Sequence, residues 1–291
     1  MQLINRIEMK MSKQLIIDAH VHTFVSEEVG KQILEQIKIE QGVPYFCYGT
    51  IEELRATMKT CGISKSVMVN FAPANWTKGN NFWTCAIAKD SEDLIPFISP
   101  HPKMKGRKPV DEIKHKLPWG AKGIKFHPEA QEFYPNDKKM WPIYEFCQEI
   151  NLPIIFHSGK NIDSSGQFSE PRLFTEILTE FPKLTLVLAH LGNGFWDQTK
   201  KLAAEFQNVF FDTAIAISGI YTRDEKTREQ YLSDEESIDM IETIGAERIM
   251  FGSDFPWVNP EWDIDRIQKL PLSDKDKECI FGKNAIKIYD L

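Results

Sequence analysis

Eight short apolar runs, each followed by a longer amphipathic stretch, set the strongest limit on how this chain can fold. They are Leu15–His20, Ser66–Phe71, Ile95–Pro100, Gly123–His127, Pro153–His157, Thr185–His190, Val209–Thr213 and Arg248–Gly252. Runs rich in Ile, Val, Leu and Phe suit strands covered on both faces, as in parallel sheets. Helix signals lie between them. Thr50 followed by Glu53 is a capping-box pattern, Ile51, Leu54 and Met58 then share one face, and Gly62 falls where the helix should stop. Trp141 to Ile150 stops before Asn151-Leu-Pro. Leu173, Ile177 and Leu178 line a helix closed by Pro182, Leu202, Ala203 and Phe206 line another, and Ile238, Ile241 and Ile244 a third, stopped by Gly245. Strict alternation over 291 residues predicts one α/β domain, a (β/α)8 TIM barrel over 14–291, rather than two doubly wound domains. Residues 1–13, which include a second Met at position 11, read as an N-terminal extension.

In such a barrel the reactive site lies at the C-terminal strand ends. Six of the seven histidines fall there: His20, His22, His101, His127, His157 and His190, with only His115 inside a helix. Asp212 and Asp254 join them after the seventh and eighth runs. In Asp18-Ala-His20-Val-His22 the two imidazoles project to one side of an extended chain and can reach one ion. An isolated His-x-His is weak evidence, and His157 or His190 alone is a common structural histidine. The set gains force because closure of the barrel makes the first and eighth strands neighbours. His20, His22, His157 and Asp254 then surround one divalent metal ion. Zinc suits such nitrogen and oxygen donors, and manganese, iron and cobalt are alternatives. Such an ion can lower the pKa of its water from about 15.7 to about 7. His190 is the expected proton carrier, and Asp254 can assist as well as ligate. His101, between Pro100 and Pro102, serves equally well as a packed loop residue.

Lys125 and His127 share a face of the fourth strand that points inward or to the rim. A buried lysine is costly unless paired. Three roles are open: a carbamylated bridge between two metals, a cation for a substrate carboxylate, or an ion pair with Asp212 or Asp254. Lys125, His127, Asp212 and Trp257 are the expected substrate contacts, with Trp76 and Trp196 as further loop aromatics. Specificity is expected in the loops 23–49, 72–81 and 214–234.

The formal net charge of −7 argues against a nucleic-acid partner, and no apolar run approaches the length of a membrane span. The N-terminus lacks the apolar core of a signal peptide, and five scattered cysteines without a CxxC pair suggest reduced thiols in a cytoplasmic protein. No dinucleotide fingerprint, phosphate loop or nucleophile elbow competes with the metal site. The charged stretches Arg223–Glu229 and 234–236 read as solvated helix surface.

These motifs resemble the amidohydrolase superfamily, and within it the amidohydrolase 2 group that includes aminocarboxymuconate-semialdehyde decarboxylase. The resemblance runs from Asp18-Ala-His20-Val-His22 through Phe156-His157-Ser158-Gly159, Ala189-His190-Leu191-Gly192 and Phe251-Gly-Ser-Asp254-Phe-Pro to Ile280-Phe-Gly-Lys-Asn284-Ala285. It implies the same four metal ligands, zinc most commonly, His190 polarising substrate or handling protons, and a homodimer. Lys125-Phe-His127-Pro departs from the decarboxylases' metal site. The expected activity is therefore hydrolysis of an amide, lactone or ester carbonyl in a small, carboxylate-bearing substrate by metal-activated water. Non-oxidative decarboxylation of an unsaturated or aromatic acid is the alternative, and a non-catalytic metal- or ligand-binding protein a third.

Overall fold

A computed structural model describes residues 14–161, 165–219 and 231–291. The N-terminal extension and the run 223–229 lie outside the described residues. Eight strands form one sheet in sequence order, every neighbour parallel. They are β1 (Ile16–Val21), β2 (Ile63–Met68), β3 (Leu94–Ile98), β4 (Gly123–Phe126), β5 (Ile154–Phe156), β6 (Leu186–Leu188), β7 (Val209–Asp212) and β8 (Ile249–Met250).

The sheet closes on itself through the segment after β8. Ala19 N donates to Phe251 O at 2.8 Å, Asp254 N to His20 O at 3.0 Å and His22 N to Phe255 O at 2.6 Å. The expected barrel is therefore present. Most strand boundaries fall close to the apolar runs, but β2 starts three residues before Ser66. Its first turn, Ile63-Ser-Lys, is partly solvated and carries no apolar pattern.

Alternation of side chains divides the core in two. Ile17, Ala19, Val67, Val69, Ile95, Phe97, Ile155, Val187 and Met250 fill the barrel interior. Ile124, Phe126, Ile154, Phe156, Leu186 and Leu188 face outward against the helices. Burying a side chain of this size contributes roughly 1.5–3 kcal/mol. Gly123 is needed for this packing, since a Cβ there would stand 2.3 Å from the Phe97 ring. The C-terminal helix Asn284–Tyr289 closes the far end of the barrel, with Tyr289 edge-on to Phe97 at 4.9 Å. Asn284 Nδ2 donates to Ala246 O and Ile249 O at 2.7 and 2.6 Å, which pins that helix to the entry of β8.

The helices follow the expected signals. Ile51–Cys61 opens with the Thr50/Glu53 capping box and ends at Gly62 in the left-handed conformation. Asp234–Ile244 opens with a second box, Ser233 and Glu236, and its acidic first turn suits the helix dipole. Among the described residues no helix is long and apolar enough to cross a membrane.

Candidate metal-dependent active site

The site is built at the seam between β1 and the segment after β8. Asp18 is its fastener. One oxygen accepts from His20 N at 3.1 Å and Ser253 N at 3.0 Å, and the other from Ser253 Oγ at 2.6 Å. Gly252 allows the two segments to meet, because a Cβ there would lie 2.9 Å from His20 Cβ. Asp254 consequently stands beside both β1 histidines. His20 Nε2 and His22 Nε2 are 3.2 Å apart, and Asp254 Oδ1 lies 3.5 Å from the first and 3.4 Å from the second.

An ion with bonds of about 2.0–2.1 Å in tetrahedral array separates its donor atoms by roughly 3.4 Å. The three observed separations fit that spacing. The tautomer fits as well. His20 Nδ1 lies 2.9 Å from Asp212 Oδ2, and Asp212 Oδ1 already accepts from His190 N and Ala214 N at 2.9 and 3.2 Å. Lys125 Nζ, a donor, stands 3.1 Å from His20 Nε2, so that nitrogen keeps its lone pair toward the site and His20 carries its proton on Nδ1, facing Asp212. This carboxylate–histidine arrangement orients a metal ligand. His157 stands outside the tight trio, but its buried Nε2 has no hydrogen-bond partner among the described residues. A buried unpartnered nitrogen costs about 1–3 kcal/mol, and a metal bond would remove that cost. The residues present therefore fit a divalent ion.

Burial, then the charge of Lys125, holds His20 well below the ordinary imidazole range. Burial also lowers His22 and, with His127, lowers His157, so all three favour the neutral form that ligates metal. Burial pushes the Asp254 carboxyl up, but the hydrogen bond with His22 and the neighbouring imidazoles outweigh it and keep it ionised. Lys125 occupies an interior position of β4, level with Ile155 and then Val187 across the sheet. Its Nζ is 3.1 Å from His20 Nε2, and burial lowers its pKa to about 8.

His190 is held differently. Its backbone is left-handed, with φ 61°, as is that of Asp254 at φ 62°. Such a conformation costs a non-glycine residue about 1–3 kcal/mol and is found where a site demands it. Its Nδ1 lies 3.0 Å from Ala214 O. A carbonyl only accepts, so Nδ1 bears the proton and Nε2 keeps its lone pair.

These groups open into a cavity of about 440 Å³ lined by His22, Lys125, His127, His157, His190 and Asp254, with Phe71 and Trp257 as walls. Lys160 also lines it. Two sequence expectations need correction. Asp212 does not face substrate: it is fully buried beneath the site, occupied by His20, His190 and Ala214. Trp76 is 68% exposed and Trp196 packs against the outer core, so neither lines the cavity, whereas Trp257 does. His101 spends its Nδ1 accepting from Lys103 N at 3.0 Å, the packed-loop role. The anchoring by Asp18 and Ser253 was missed by sequence reasoning. Asp18 precedes His20 by two residues, and that spacing was the available signal.

A family model described as amidohydrolase matches residues 17–291. The chain belongs to this amidohydrolase family. Among curated relatives, the 2-amino-3-carboxymuconate-6-semialdehyde decarboxylase of Caenorhabditis elegans is 30% identical over 243 residues, 64% of this chain and 59% of the relative. The gamma-resorcylate decarboxylase of a Polaromonas species is 22% identical over 202 residues, 56% of this chain and 58% of the relative. The chain thus spans less than two thirds of the length of either. The solved structure of 5-carboxyvanillate decarboxylase from Novosphingobium aromaticivorans, complexed with manganese and 4-hydroxy-3-methoxy-5-nitrobenzoic acid, has a TM-score of 0.67 at 15% identity, covering 95% of this chain and 96% of that one. That likeness is one of fold.

Proposed function

We propose that this amidohydrolase-family chain is a metal-dependent decarboxylase of a small unsaturated or aromatic acid. The observation that carries the proposal is that both curated relatives described above are decarboxylases. This favours the lyase alternative over the hydrolysis that the sequence motifs put first. The cavity supports it. Its walls include the Phe71, His127 and Trp257 rings, which suit a planar substrate, and the buried Lys125 ammonium suits an anion.

His20, His22, His157 and Asp254 would hold the ion, zinc or manganese by donor chemistry. When bound, the ion supplies a fixed positive charge that orients and polarises a substrate oxygen. The chain's own residues do the rest. Lys125 neutralises a substrate oxyanion from below, and Trp257 and Phe71 exclude water from the ring faces. His190 Nε2 takes a proton from solvent and delivers it to the substrate carbon that bears the carboxylate. The carbon–carboxylate bond then breaks, its electron pair returns to the unsaturated system, and CO2 leaves. Asp212 and Ala214 keep the His190 ring and backbone aimed throughout.

The test is a panel of aromatic and unsaturated carboxylic acids offered to zinc- or manganese-loaded protein in ¹⁸O-labelled water. Stoichiometric CO2 release with no label in the organic product is the expected result. An organic product carrying solvent ¹⁸O without CO2 would restore hydrolysis.

A further inference from the structure

Resting on the reading above, that the cavity takes a small planar acid, we infer that His127 presents a fixed N–H donor to an oxygen of the bound substrate and so selects for an acceptor at that position.

The argument begins with the backbone. His127 is the N-cap of the short helix Pro128–Gln131, and its Nδ1 accepts from Ala130 N at 3.2 Å. A backbone N–H can only donate, so Nδ1 carries no proton. A ring whose Nδ1 bears no proton is neutral. In a neutral imidazole with Nδ1 as acceptor, the proton must sit on Nε2. The cavity is lined by this ring. His190 and His20 are fixed the other way, with Nδ1 protonated and Nε2 as acceptor, by Ala214 O and Asp212. One cavity thus holds imidazoles of both tautomers, each set by a partner that leaves no choice.

The ring's orientation is also constrained. It stacks on His157 with centroids 4.0 Å apart and planes 6° from parallel, and meets Phe71 at 4.6 Å. His127 N donates to Gln131 Oε1 at 2.9 Å. Gln131 Nε2 donates to Ser99 Oγ at 3.1 Å, and Ser99 N to Asn81 Oδ1 at 2.8 Å. Asn81 Nδ2 donates to Glu112 Oε1 at 3.3 Å. Gln131, Ser99, Asn81 and Glu112 are each buried to within 2% of completely. A satisfied chain of this kind rigidifies its end members, and its end member is the backbone of His127. A donor held in place gains more from an oxygen acceptor than a mobile one, because little freedom is lost on binding.

Two measurements test this on the zinc-loaded protein. Nitrogen-15 NMR of ring-labelled histidines, with His127 assigned by loss of its signals in His127→Asn, should show a neutral Nε2–H tautomer. An Nδ1–H tautomer or an imidazolium at neutral pH would overturn the inference. Titration with 2-hydroxybenzoate as probe should show His127→Asn binding about 10- to 100-fold more weakly, the worth of one hydrogen bond to a charged group. Asparagine keeps the N-cap, so the melting temperature should stay near that of the parent, and affinities are compared at equal zinc loading because the stack on His157 is lost. Equal affinity in parent and variant would sink the inference. If the parent binds neither 2-hydroxybenzoate nor other benzoates, the acid-substrate reading fails instead, and the tautomer alone decides the present point.

Discussion

The two walls of the site are assembled by different physics. At the seam of β1 with the segment after β8, the donors sit 3.2–3.5 Å apart and are tied by a buried network of hydrogen bonds through Asp18, Ser253 and Asp212. At the β4–β5 wall, His157 is placed by stacking on His127, and its Nε2 is left without a partner among the described residues. The seam is a pre-formed pincer. The wall is a ring stack that offers one spare lone pair. The comparison teaches that a metal centre can combine donors already held by polar bonds with a donor whose desolvation cost is relieved only by ligation.

The sharpest way to break this contrast is His157→Ala. We expect loss of stoichiometric divalent ion by elemental analysis after gel filtration, with the hydrogen-bonded seam still folded by circular dichroism. Retention of the ion would remove His157 from the ligand set. Next in size is His190→Asn, which should keep the ion and lower kcat by about 10²- to 10⁴-fold, the usual worth of a proton-transfer group. Metal lost along with turnover would make His190 a ligand instead. Asp212→Asn probes the seam from behind. It should weaken metal affinity about 10- to 100-fold, read by competition with a chelating dye, because His20 loses the acceptor that sets its tautomer.

The smallest effect concerns stability. Burial raises Asp18 to about 7 and Asp263 to about 8. For Asp263 the folded value lies above the unfolded 3.8, so its contribution is present below about pH 4 and is lost as pH rises toward 8. Asp263→Asn removes that loss and should stabilise the protein by on the order of 2 kcal/mol at pH 7, shrinking to nothing near pH 4. Urea melts at the two pH values measure it. An equal effect at both would mean that Asp263 does not titrate across this range.

Much of this architecture is legible in the sequence because its causes are local. Apolar runs covered on both faces announce β3, β5 and β6, and Thr50, Glu53 and Gly62 mark a helix at both ends. The pairing of His20 with His22 follows from strand periodicity, and their meeting with Asp254 follows from barrel closure. Two things are not legible for a physical reason. Ser64 and Lys65 near the start of β2 are polar and partly solvated, so the strand there owes its identity to pairing with β1 and not to an apolar run. The role of Asp212 depends on which way a rim carboxylate turns. A sequence can put an acid at the rim, but only the positions of His20, His190 and Ala214 decide that it points beneath the site and not into the cavity. The N-cap role of His127 is similar: the imidazole as cap becomes visible only with Ala130 N in reach.

The left-handed backbone at His190 and Asp254 has a consequence for how this chain can change. Glycine would relax either position at no steric expense, so selection for heat resistance alone should drift there early. Each such step would harden the barrel while silencing it, and the two most reactive positions are thus also where durability and chemistry pull the chain in opposite directions.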